Sequence, residues 1–511
     1  MEKKFFGEIV LDIDEEIKNY GNLLCYVAGP GSGKSFWVTN RLIKKGKVLY
    51  ITSRIAKVLE DEKNSVFKND INATYPVVTN SRLSSHIREI TTFGDTQENR
   101  KNIDKFIDRF DYIVIDEVHS LASDSTYQNS VFMVQKFIEY AGFKKGKTII
   151  AMSATIEPIE NYINCCKNNN KKWKIRDFTD KCHFVLPKNV WIYEKKKRET
   201  LIDSCANKGT KFVYFCNTVK EIKDTIYTEC LNAKVPEENI AVILSDEKQV
   251  EFNKKHPNSK KYNKDCWDYL LKNSSLPDNV KILLTTSKLK EGININNEDI
   301  NVVFCESHYV PDIIQYMGRL RKNPFVFYVV SDSSYFCEEV SEIEYNFLKS
   351  GEMLNACNEY FKKMETKVDK EIFIDYILKK FNYIAFNYFT NTFDLYSSKY
   401  STLKAQSKSQ RTWHSDLNNF FARHPETNFL DMEKEYKNKE RKDSLQYLYD
   451  NLDKPFYGDE KDILFEHIRK AFGIEGKTKA SLNSKLRDEK YIIVNAERKQ
   501  NKRGIKLIKL E

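Results

Sequence analysis

The residues best suited to chemistry stand in one short glycine-rich segment that ends in Lys34 and Ser35. An apolar run of strand length precedes it, and apolar residues at helical spacing follow it. Glycines let successive backbone N–H groups surround a phosphate, and the start of the next helix adds partial positive charge. In this arrangement a lysine reaches the terminal phosphates of a nucleotide and a hydroxyl binds Mg²⁺. The segment therefore predicts a phosphate-binding loop made of Gly29, Pro30, Gly31, Ser32, Gly33, Lys34 and Ser35.

An acidic pair, Asp116 and Glu117, directly follows four apolar residues of another predicted strand. At the tip of a buried strand, the first carboxylate can bind Mg²⁺ and the second can lie beside an attacking water. Alone, such a pair could simply mark the end of a strand. Because it follows a phosphate-binding loop, it favours hydrolysis of a nucleoside triphosphate. His119 is predicted to link the nucleotide to a neighbouring domain.

The elements that must position these groups are short apolar runs separated by helical stretches. In the first part of the chain they are 23–27, 48–51, 75–79, 112–115 and 148–152. Runs that are apolar on both faces predict a parallel sheet covered by helices on both sides. The ligand of such a sheet lies beyond the carboxyl ends of its strands. The polar residues that follow these strands should therefore converge on the phosphate-binding loop.

A second alternating segment begins near residue 186. Its predicted strands are 211–215, 240–244 and 280–284, and residues 245–279 are lysine-rich and polar with a short helical patch at 267–271. Further on, Arg319 and Arg321 follow Gln315. Two guanidinium groups in a cleft can stabilise the charge that develops on the γ-phosphate. The alternative is a basic, solvated helix face.

The order of these motifs resembles that of superfamily 2 helicases. Ala-x-x-Gly-x-Gly-Lys-Ser, Asp-Glu-x-His and Ser-Ala-Thr (153–155) are similar to motifs I, II and III, and alanine is common at the first position of motif I. The resemblance implies two RecA-like lobes, ATP and Mg²⁺ as cofactors, and a nucleic-acid track. No glutamine that could read adenine stands before the loop. The roles implied are coupling by Ser153 and Thr155, nucleotide contact by Gly292 and Asn294, and nucleic-acid contact by Thr52, Arg54, Thr79, Arg82 and Thr285.

Motif VI has an uncommon form here. In Gln315-x-x-Gly-Arg-x-Arg the second arginine stands one residue earlier than in the commonest version, with Lys322 in its usual place. This form resembles the replication origin-binding helicases of herpesviruses and their phage and plasmid relatives. The resemblance implies a role in DNA replication.

The C-terminal third is predicted to be helix-rich and aromatic up to about residue 460, with 397–411 as an exposed connection. Helices at 462–472 and 478–488 and strands at 491–494 and 505–510 then give the order of a winged helix, whose second helix enters a major groove. Between residues 469 and 511 there are 13 Lys and Arg against 5 Asp and Glu. The alternative is a surface hairpin whose charge only keeps it in solution. The predicted DNA contacts are Lys485, Arg487, Arg498, Lys499, Lys502 and Arg503.

Composition sets the outer limits. A chain of 511 residues with 41% hydrophobic content has room for about three domains. Its net charge of +10 suits a nucleic-acid partner without requiring one. Eleven cysteines without a Cys-x-x-Cys pair favour reduced thiols and disfavour a zinc ribbon or a disulfide scaffold. Because the sequence has neither a signal peptide nor an apolar run of membrane-spanning length, we expect a soluble, cytoplasmic protein.

The sequence thus predicts an α/β fold: two RecA-like P-loop domains in tandem, then a helix-rich region ending in a winged-helix-like domain. The predicted boundaries are 1–185, 186–335, 336–455 and 456–511. The predicted function is an ATP-dependent helicase or translocase that acts on DNA. Replication proteins are possible further partners. The alternatives are an RNA helicase and an ATP-binding module without strand separation. The sequence leaves the oligomeric state open.

Overall fold

The structure is a computed structural model. It describes residues 4–53, 58, 62, 65–91, 96–126, 129–155, 163, 173–182, 186–289, 293–321, 326–332, 339–474, 478–499 and 502–510. The chain divides into two compact units. The first comprises residues 1–190 and 195–428, and the second comprises 191–194 and 429–511.

The first unit begins with a parallel sheet in the strand order β3-β2-β4-β5-β1-β6. Its strands are β1 (Leu23–Val27), β2 (Val48–Thr52), β3 (Val77–Thr79), β4 (Tyr112–Ile115), β5 (Thr148–Ser153) and β6 (Lys174–Asp177). The five strands predicted in this region are confirmed, with small shifts at their ends. We call this sheet and its helices the first lobe. The α-helices are Phe6–Ile9, Ile13–Tyr20, Lys34–Asn40, Asn80–Glu89, Thr96–Ile107, Ser120–Ser123 and Ser130–Glu139, with shorter turns at Leu42–Lys44, Asp124–Thr126 and Tyr140–Lys144.

Both faces of this sheet are buried. Along β1, Leu23 and Cys25 pack into one apolar core while Leu24 and Tyr26 pack into a second core on the opposite face. Every residue of β1 is therefore apolar, and the strand could be predicted from its sequence.

The second lobe is built on the parallel strands β12-β11-β8-β10-β9. They are β8 (Lys211–Phe215), β9 (Ile240–Ile243), β10 (Ile282–Thr285), β11 (Ile300–Cys305) and β12 (Val326–Val330); β7 (Asn189–Tyr193) and β15 (Asn428–Asp431) lie where the two units meet along the chain. Two parallel sheets with helices confirm the predicted α/β class. The helical segments are Lys195–Lys197, Arg198–Asn207, Val219–Glu221, Ile222–Ile226, Tyr227–Asn232, Glu237–Asn239, Asp246–Lys255, Ser259–Asn273, Ser287–Leu289 and Val310–Met317.

Residues 245–279 are far more helical than predicted. Instead of one short patch they form two helices, Asp246–Lys255 and Ser259–Asn273. These helices were not predicted, because the segment is polar and one of its buried positions is itself occupied by a polar residue. The Asn263 side chain lies in the lobe and accepts a hydrogen bond from the Val242 N–H of β9 at 2.7 Å.

The prediction that 397–411 is an exposed connection is wrong. This tract opens a helix of 26 residues, Ser397–Ala422. Its polar residues misled the prediction, because Ser398, Ser407 and Ser409 are all buried. The Ser398 hydroxyl donates to Gln135 Oε1 of the first lobe at 2.8 Å.

The rest of this accessory region is helical, as predicted. Helices Val340–Lys363 and Lys367–Lys380 pack with the hairpin formed by β13 (Ile384–Asn387) and β14 (Thr392–Leu395). The hairpin segment also joins the first lobe, since Ala385, Phe389 and Tyr396 lie in one of its cores. None of the helices in the described residues has the length and apolarity needed to cross a membrane.

The second unit has helices Met432–Asp450, Glu460–Phe472 and Lys479–Leu486, followed by the antiparallel strands β16 (Tyr491–Lys499) and β17 (Lys502–Lys509). The predicted order of helix, helix, strand, strand is confirmed. The strands run further than predicted, into the charged segment that was expected to be a turn. Leu448 shares a core with Leu464, Leu482 and Leu507, so the helix before residue 456 belongs to this unit.

Candidate nucleotide site between the two lobes

The predicted phosphate-binding loop joins β1 to the helix Lys34–Asn40. Gly31 and Gly33 have φ angles of +77° and +91°, a region that residues with a Cβ seldom adopt. Ala28 is fully buried, and its N–H donates to the Ser153 carbonyl at 3.0 Å. The loop is therefore anchored to the end of β5 at its first residue.

Lys34 lies over this loop and is only 7% exposed. Its Nζ donates to the carbonyls of Ala28 at 2.6 Å and Gly29 at 3.2 Å. Burial lowers the pKa of Lys34, while the charges of Glu117 and Asp116 act in the opposite direction. The Ser32 hydroxyl is buried and has no partner among the described residues. A phosphate in the loop would give both groups an acceptor.

The predicted metal ligands lie side by side. The Ser35 hydroxyl donates to Asp116 Oδ2 at 3.1 Å, and the Tyr50 hydroxyl donates to the same oxygen at 2.6 Å. Oxygen donors of this kind fit Mg²⁺, which takes one or two protein oxygens together with phosphate and water. Tyr50 was not found from the sequence. Tyr50 is the central residue of β2 and is fully buried, and the pairing of β2 with β4 places its hydroxyl against Asp116.

The orientation of Asp116 should depend on this tyrosine. We expect Tyr50→Phe to raise the Mg²⁺ concentration for half-maximal ATP hydrolysis by about 10-fold, the lower end of the range for outer-shell partners of metal ligands. At saturating Mg²⁺ the rate should recover. Tyr26→Phe is the matched control, because Tyr26 on β1 hydrogen bonds Glu16 at 3.2 Å instead. Equal Mg²⁺ dependence in wild type and Tyr50→Phe would remove Tyr50 from the metal site.

Glu117 is held at the centre of the cleft with a φ of +53°. This left-handed conformation is uncommon for a residue with a Cβ and typical of functional sites. Its carboxylate lies 3.3 Å from His119 Nδ1 and 3.8 Å from Arg319 Nη2, and Gln315 Nε2 donates to it at 3.5 Å. Burial alone would raise the pKa of Glu117, but His119, Lys34 and Arg319 outweigh burial and lower the pKa to about 2. The group is therefore ionised at neutral pH.

The residues predicted to couple nucleotide and neighbouring domain lie together behind Glu117. His119 Nδ1 and Ser153 Oγ are 3.0 Å apart, and the Thr155 N–H donates to Ser153 Oγ at 3.2 Å. With the Ala28 contact to the Ser153 carbonyl, the three motifs of the first lobe form one hydrogen-bonded group.

The second lobe presents its arginines from the segment after the helix Val310–Met317. Arg319 lies against Glu117, whereas Arg321 lies on the phosphate-binding loop, where a Cβ built on Gly31 would overlap its guanidinium. Arg321 Nε donates to Asn294 Oδ1 at 2.7 Å. The structure therefore brings Gln315, Arg319, Arg321 and Asn294 to the same cleft as the first-lobe residues. Gly292 lies outside the described residues.

Gly318 is a site residue that sequence reasoning missed. A Cβ built on it would overlap the Cβ and Cγ of Pro30. The two lobes are in close contact here, and only glycine leaves room for Pro30. The signal was available in the sequence, because a glycine precedes Arg319 where a helix ends, but nothing indicated its neighbour.

The helix Ser397–Ala422 connects to the acidic motif of one lobe and to the arginine segment of the other. Near its start Ser398 hydrogen bonds Gln135, whose Nε2 donates to the Leu121 carbonyl at 2.7 Å, just after the acidic motif. Further along, the Trp413 ring stacks on His308 with centroids 4.5 Å apart. His308 shortly precedes the helix that carries Gln315. One helix thus supports the acidic motif from one lobe and the arginine segment from the other.

The predicted nucleic-acid contacts are placed less uniformly. Thr52 and Thr285 are buried, and the Thr285 hydroxyl donates to the Ile243 carbonyl at 2.8 Å. Thr79 caps a helix by accepting from the Arg82 N–H at 3.1 Å, and Arg82 pairs with Glu89. In the second unit Lys485, Arg487 and Arg503 are exposed. Arg54 and the side chains of Arg498, Lys499 and Lys502 lie outside the described residues.

Comparison with known families agrees with this site. Residues 7–158 match the protein family described as the res subunit of type III restriction enzymes. The match covers both the phosphate-binding loop and the acidic motif. The matched residues belong to the first lobe. Lys34, Asp116 and Glu117, the residues predicted to bind the nucleotide and hydrolyse it, all lie within the matched segment.

Several solved structures are similar to this chain. S. cerevisiae Dbp5 bound to RNA and ADP BeF3 is 12% identical, with a TM-score of 0.40, 61% of this chain covered and 80% of that one. Mss116p bound to ssRNA and AMP-PNP is 16% identical, with a TM-score of 0.40, and the match covers 60% of this chain and 66% of that one. The DUF1998 helicase MrfA bound to DNA and AMPPNP is 15% identical, with a TM-score of 0.40. The match covers 66% of this chain and 49% of that one, so it spans about half of MrfA. No curated protein matches the sequence.

Proposed function

We propose that this chain is an ATP-driven motor that moves along DNA. The observation that carries the proposal is the meeting of both lobes at one carboxylate, where Gln315 and Arg319 approach Glu117 from across the cleft. A site that is assembled from two lobes can hydrolyse ATP only when the lobes close on each other. Hydrolysis can therefore drive a cycle of closing and opening. Such a cycle moves two lobes along a phosphate backbone.

Each residue has a defined part in the hydrolysis. The loop N–H groups and Lys34 bind the phosphates, and Ser35 and Asp116 would hold Mg²⁺, which supplies charge neutralisation when bound. Glu117 orients the attacking water and accepts its proton. Arg319 and Arg321 stabilise the charge on the γ-phosphate. When Arg319 turns from Glu117 to phosphate, the carboxylate loses a positive neighbour and becomes a stronger base.

We place the DNA-recognition surface in the second unit. The Asn483 side chain joins the helix Lys479–Leu486 to β16 by exchanging two hydrogen bonds with the Ile493 backbone, at 2.7 and 2.8 Å. Lys479 adds a 2.6 Å bond to Asn495. With one side of the helix fixed in this way, Lys485 and Arg487 remain exposed. A basic helix followed by a two-stranded wing suits a DNA groove better than a single-stranded RNA.

The form of motif VI supports a place in replication of a viral, phage or plasmid type. The domain boundaries predicted at 185, 335 and 455 complete this proposal, with two motor lobes, an accessory helical region and a DNA-binding end. The segment 456–511 falls within the second unit, which also contains the helix Met432–Asp450.

The experiment that tests the substrate compares steady-state ATP hydrolysis alone and with single-stranded DNA, duplex DNA or single-stranded RNA. We expect DNA to stimulate hydrolysis well above RNA. Stimulation by RNA alone would overturn the DNA assignment and favour an RNA-remodelling ATPase. A strand-separation assay on forked DNA then distinguishes unwinding from translocation on duplex.

The exposed basic residues of the second unit give a separate prediction. Replacing Lys485, Arg487 and Arg503 together with alanine should weaken DNA binding. It should also make binding less sensitive to salt, because the slope of log affinity against log salt falls by about 0.9 for each phosphate that the protein no longer neutralises. Basal hydrolysis should stay the same, because all the residues of the candidate nucleotide site belong to the first unit. Fluorescence anisotropy over a range of salt concentrations measures both affinity and slope.

Lys470→Ala provides the control for this triple variant, because Lys470 already pairs with Glu466 at 2.8 Å. It removes a positive charge from the same unit and should change DNA binding little. If the triple variant binds DNA with the affinity and salt slope of the wild type, the second unit is not the DNA-recognition surface.

A further inference from the structure

Exposed apolar side chains are concentrated on two consecutive helices. Of the 17 large hydrophobic residues exposed in the described part of the chain, seven lie on Val340–Lys363 and Lys367–Lys380. We call these seven the outer face: Tyr345, Leu348, Met353, Tyr360, Val368, Ile372 and Tyr376. Tyr345 is 63% exposed and Leu348 is 66% exposed. Neither helix is a loose end, since Phe361 and Ile377 on their inner sides pack into a core with β13 and β14.

The outer face is large enough for a specific interface. A buried aromatic side chain contributes about 150–250 Å², and three of the seven residues are tyrosines that are half or more exposed. With the four aliphatic side chains the face reaches several hundred Å², on the order of the ~800 Å² that each partner contributes to a standard interface.

The charge around the outer face selects the kind of partner. Residues 340–380 contain 7 lysines and 8 acidic residues, so the helix pair is nearly neutral. Nucleic acid and anionic membranes require a clear excess of positive charge. A neutral, apolar helical surface suits another protein surface instead.

The first helix is complementary to an antiparallel copy of itself. Its solvent side carries, in order, Glu342, Tyr345, Lys349, Glu352, Ala356, Tyr360 and Lys363. If two copies pair antiparallel about a point between Glu352 and Met353, Tyr345 lies opposite Tyr360 and Glu342 lies opposite Lys363. Lys349 then lies about one helical turn from Glu352 of the second copy. Neither Glu342 nor Lys363 forms an ion pair among the described residues, so both are available for this contact.

We propose that the chain forms a homodimer through this outer face, with the helices Val340–Lys363 of two copies packed antiparallel around a two-fold axis. Each copy supplies the same surface, as a two-fold interface requires. The antiparallel arrangement also sets the N-terminal end of each helix against the C-terminal end of the other, which is electrostatically favourable. The proposal is independent of the substrate of the motor.

Sedimentation velocity over a concentration series, with static light scattering, tests this on the full chain. The wild type should sediment as a dimer at micromolar concentration. Glu342→Lys and Lys363→Glu should each weaken dimerisation by at least about 10-fold, since each places two like-charged pairs in the interface. The double variant Glu342→Lys, Lys363→Glu should restore the dimer, because the opposite charges again face each other.

Leu348→Glu should give a monomer, whereas Val250→Glu, at an exposed apolar position on the helix Asp246–Lys255, should leave the dimer intact. Circular dichroism and ATP hydrolysis confirm that each variant is folded. A wild type that stays monomeric overturns the proposal. A dimer that is insensitive to Leu348→Glu, or single charge variants that the double variant fails to rescue, would also overturn it.

Discussion

Replacing Glu117 with glutamine is expected to reduce ATP turnover by about 10³-fold, within the range for loss of a general base. The amide keeps the size of the side chain and can still contact His119 and Gln315, but it cannot accept a proton from water. Nucleotide binding depends on the loop and on Lys34, which this change leaves in place. The variant should therefore bind ATP about as tightly as the wild type. Steady-state hydrolysis and equilibrium binding of a fluorescent ATP analogue measure the two effects.

Glu98→Gln is the control for this variant, because Glu98 is on the surface helix Thr96–Ile107 and pairs loosely with Lys101. It should retain wild-type turnover. If Glu117→Gln hydrolyses ATP at a rate near that of the wild type, Glu117 is not the base. A loss of nucleotide binding as large as the loss of turnover would instead indicate that the site is misfolded.

Gly318→Ala is expected to lower kcat by about 100-fold, the effect of a misplacement of roughly 1 Å at a catalytic site. The φ of Gly318 is −70°, which alanine adopts without strain, so the substitution adds no torsional strain of its own. The added methyl group overlaps Pro30, however, and forces the arginine segment away from the phosphate-binding loop. Both Arg319 and Arg321 then lose their positions. ATP binding to the first lobe should change little, so the effect should appear in kcat more than in KM.

Gly351→Ala is the matched glycine control. The added Cβ would lie 3.8 Å from Leu395 Cδ1, an ordinary contact, in the middle of a helix where alanine is favourable. Its kcat should equal that of the wild type. A Gly318→Ala variant with unchanged kcat would mean that the lobes do not close through the Pro30 contact.

Much of the fold and the chemistry was predictable because it follows from local sequence. Strands such as β1 and β4 are apolar on both faces, and the loop and the acidic pair combine fixed residue types with fixed spacing. Tyr50 and Gly318 were not predictable, because their roles depend on neighbours far away in the sequence. Tyr50 meets Asp116, 66 residues later, only when β2 and β4 pair.

The helix Ser397–Ala422 shows a different limit. Its sequence is rich in serine, lysine and glutamine, which in isolation indicates a solvated segment. The structure buries it because its hydroxyl groups find partners on another element, as Ser398 does with Gln135. A helix that is buried through polar residues shows no hydrophobic periodicity. The apolar spacing that predicts amphipathic helices therefore does not detect such a helix.

The most direct test of this mechanism is ATP hydrolysis in the presence of single-stranded DNA, measured side by side for the wild type and Lys34→Ala. We predict Mg²⁺-dependent turnover that DNA increases in the wild type, and no turnover above background in the variant, because Lys34 is the one lysine held over the phosphate-binding loop among the described residues. Turnover that survives in Lys34→Ala would contradict the central claim, since ATP would then be hydrolysed somewhere other than this cleft.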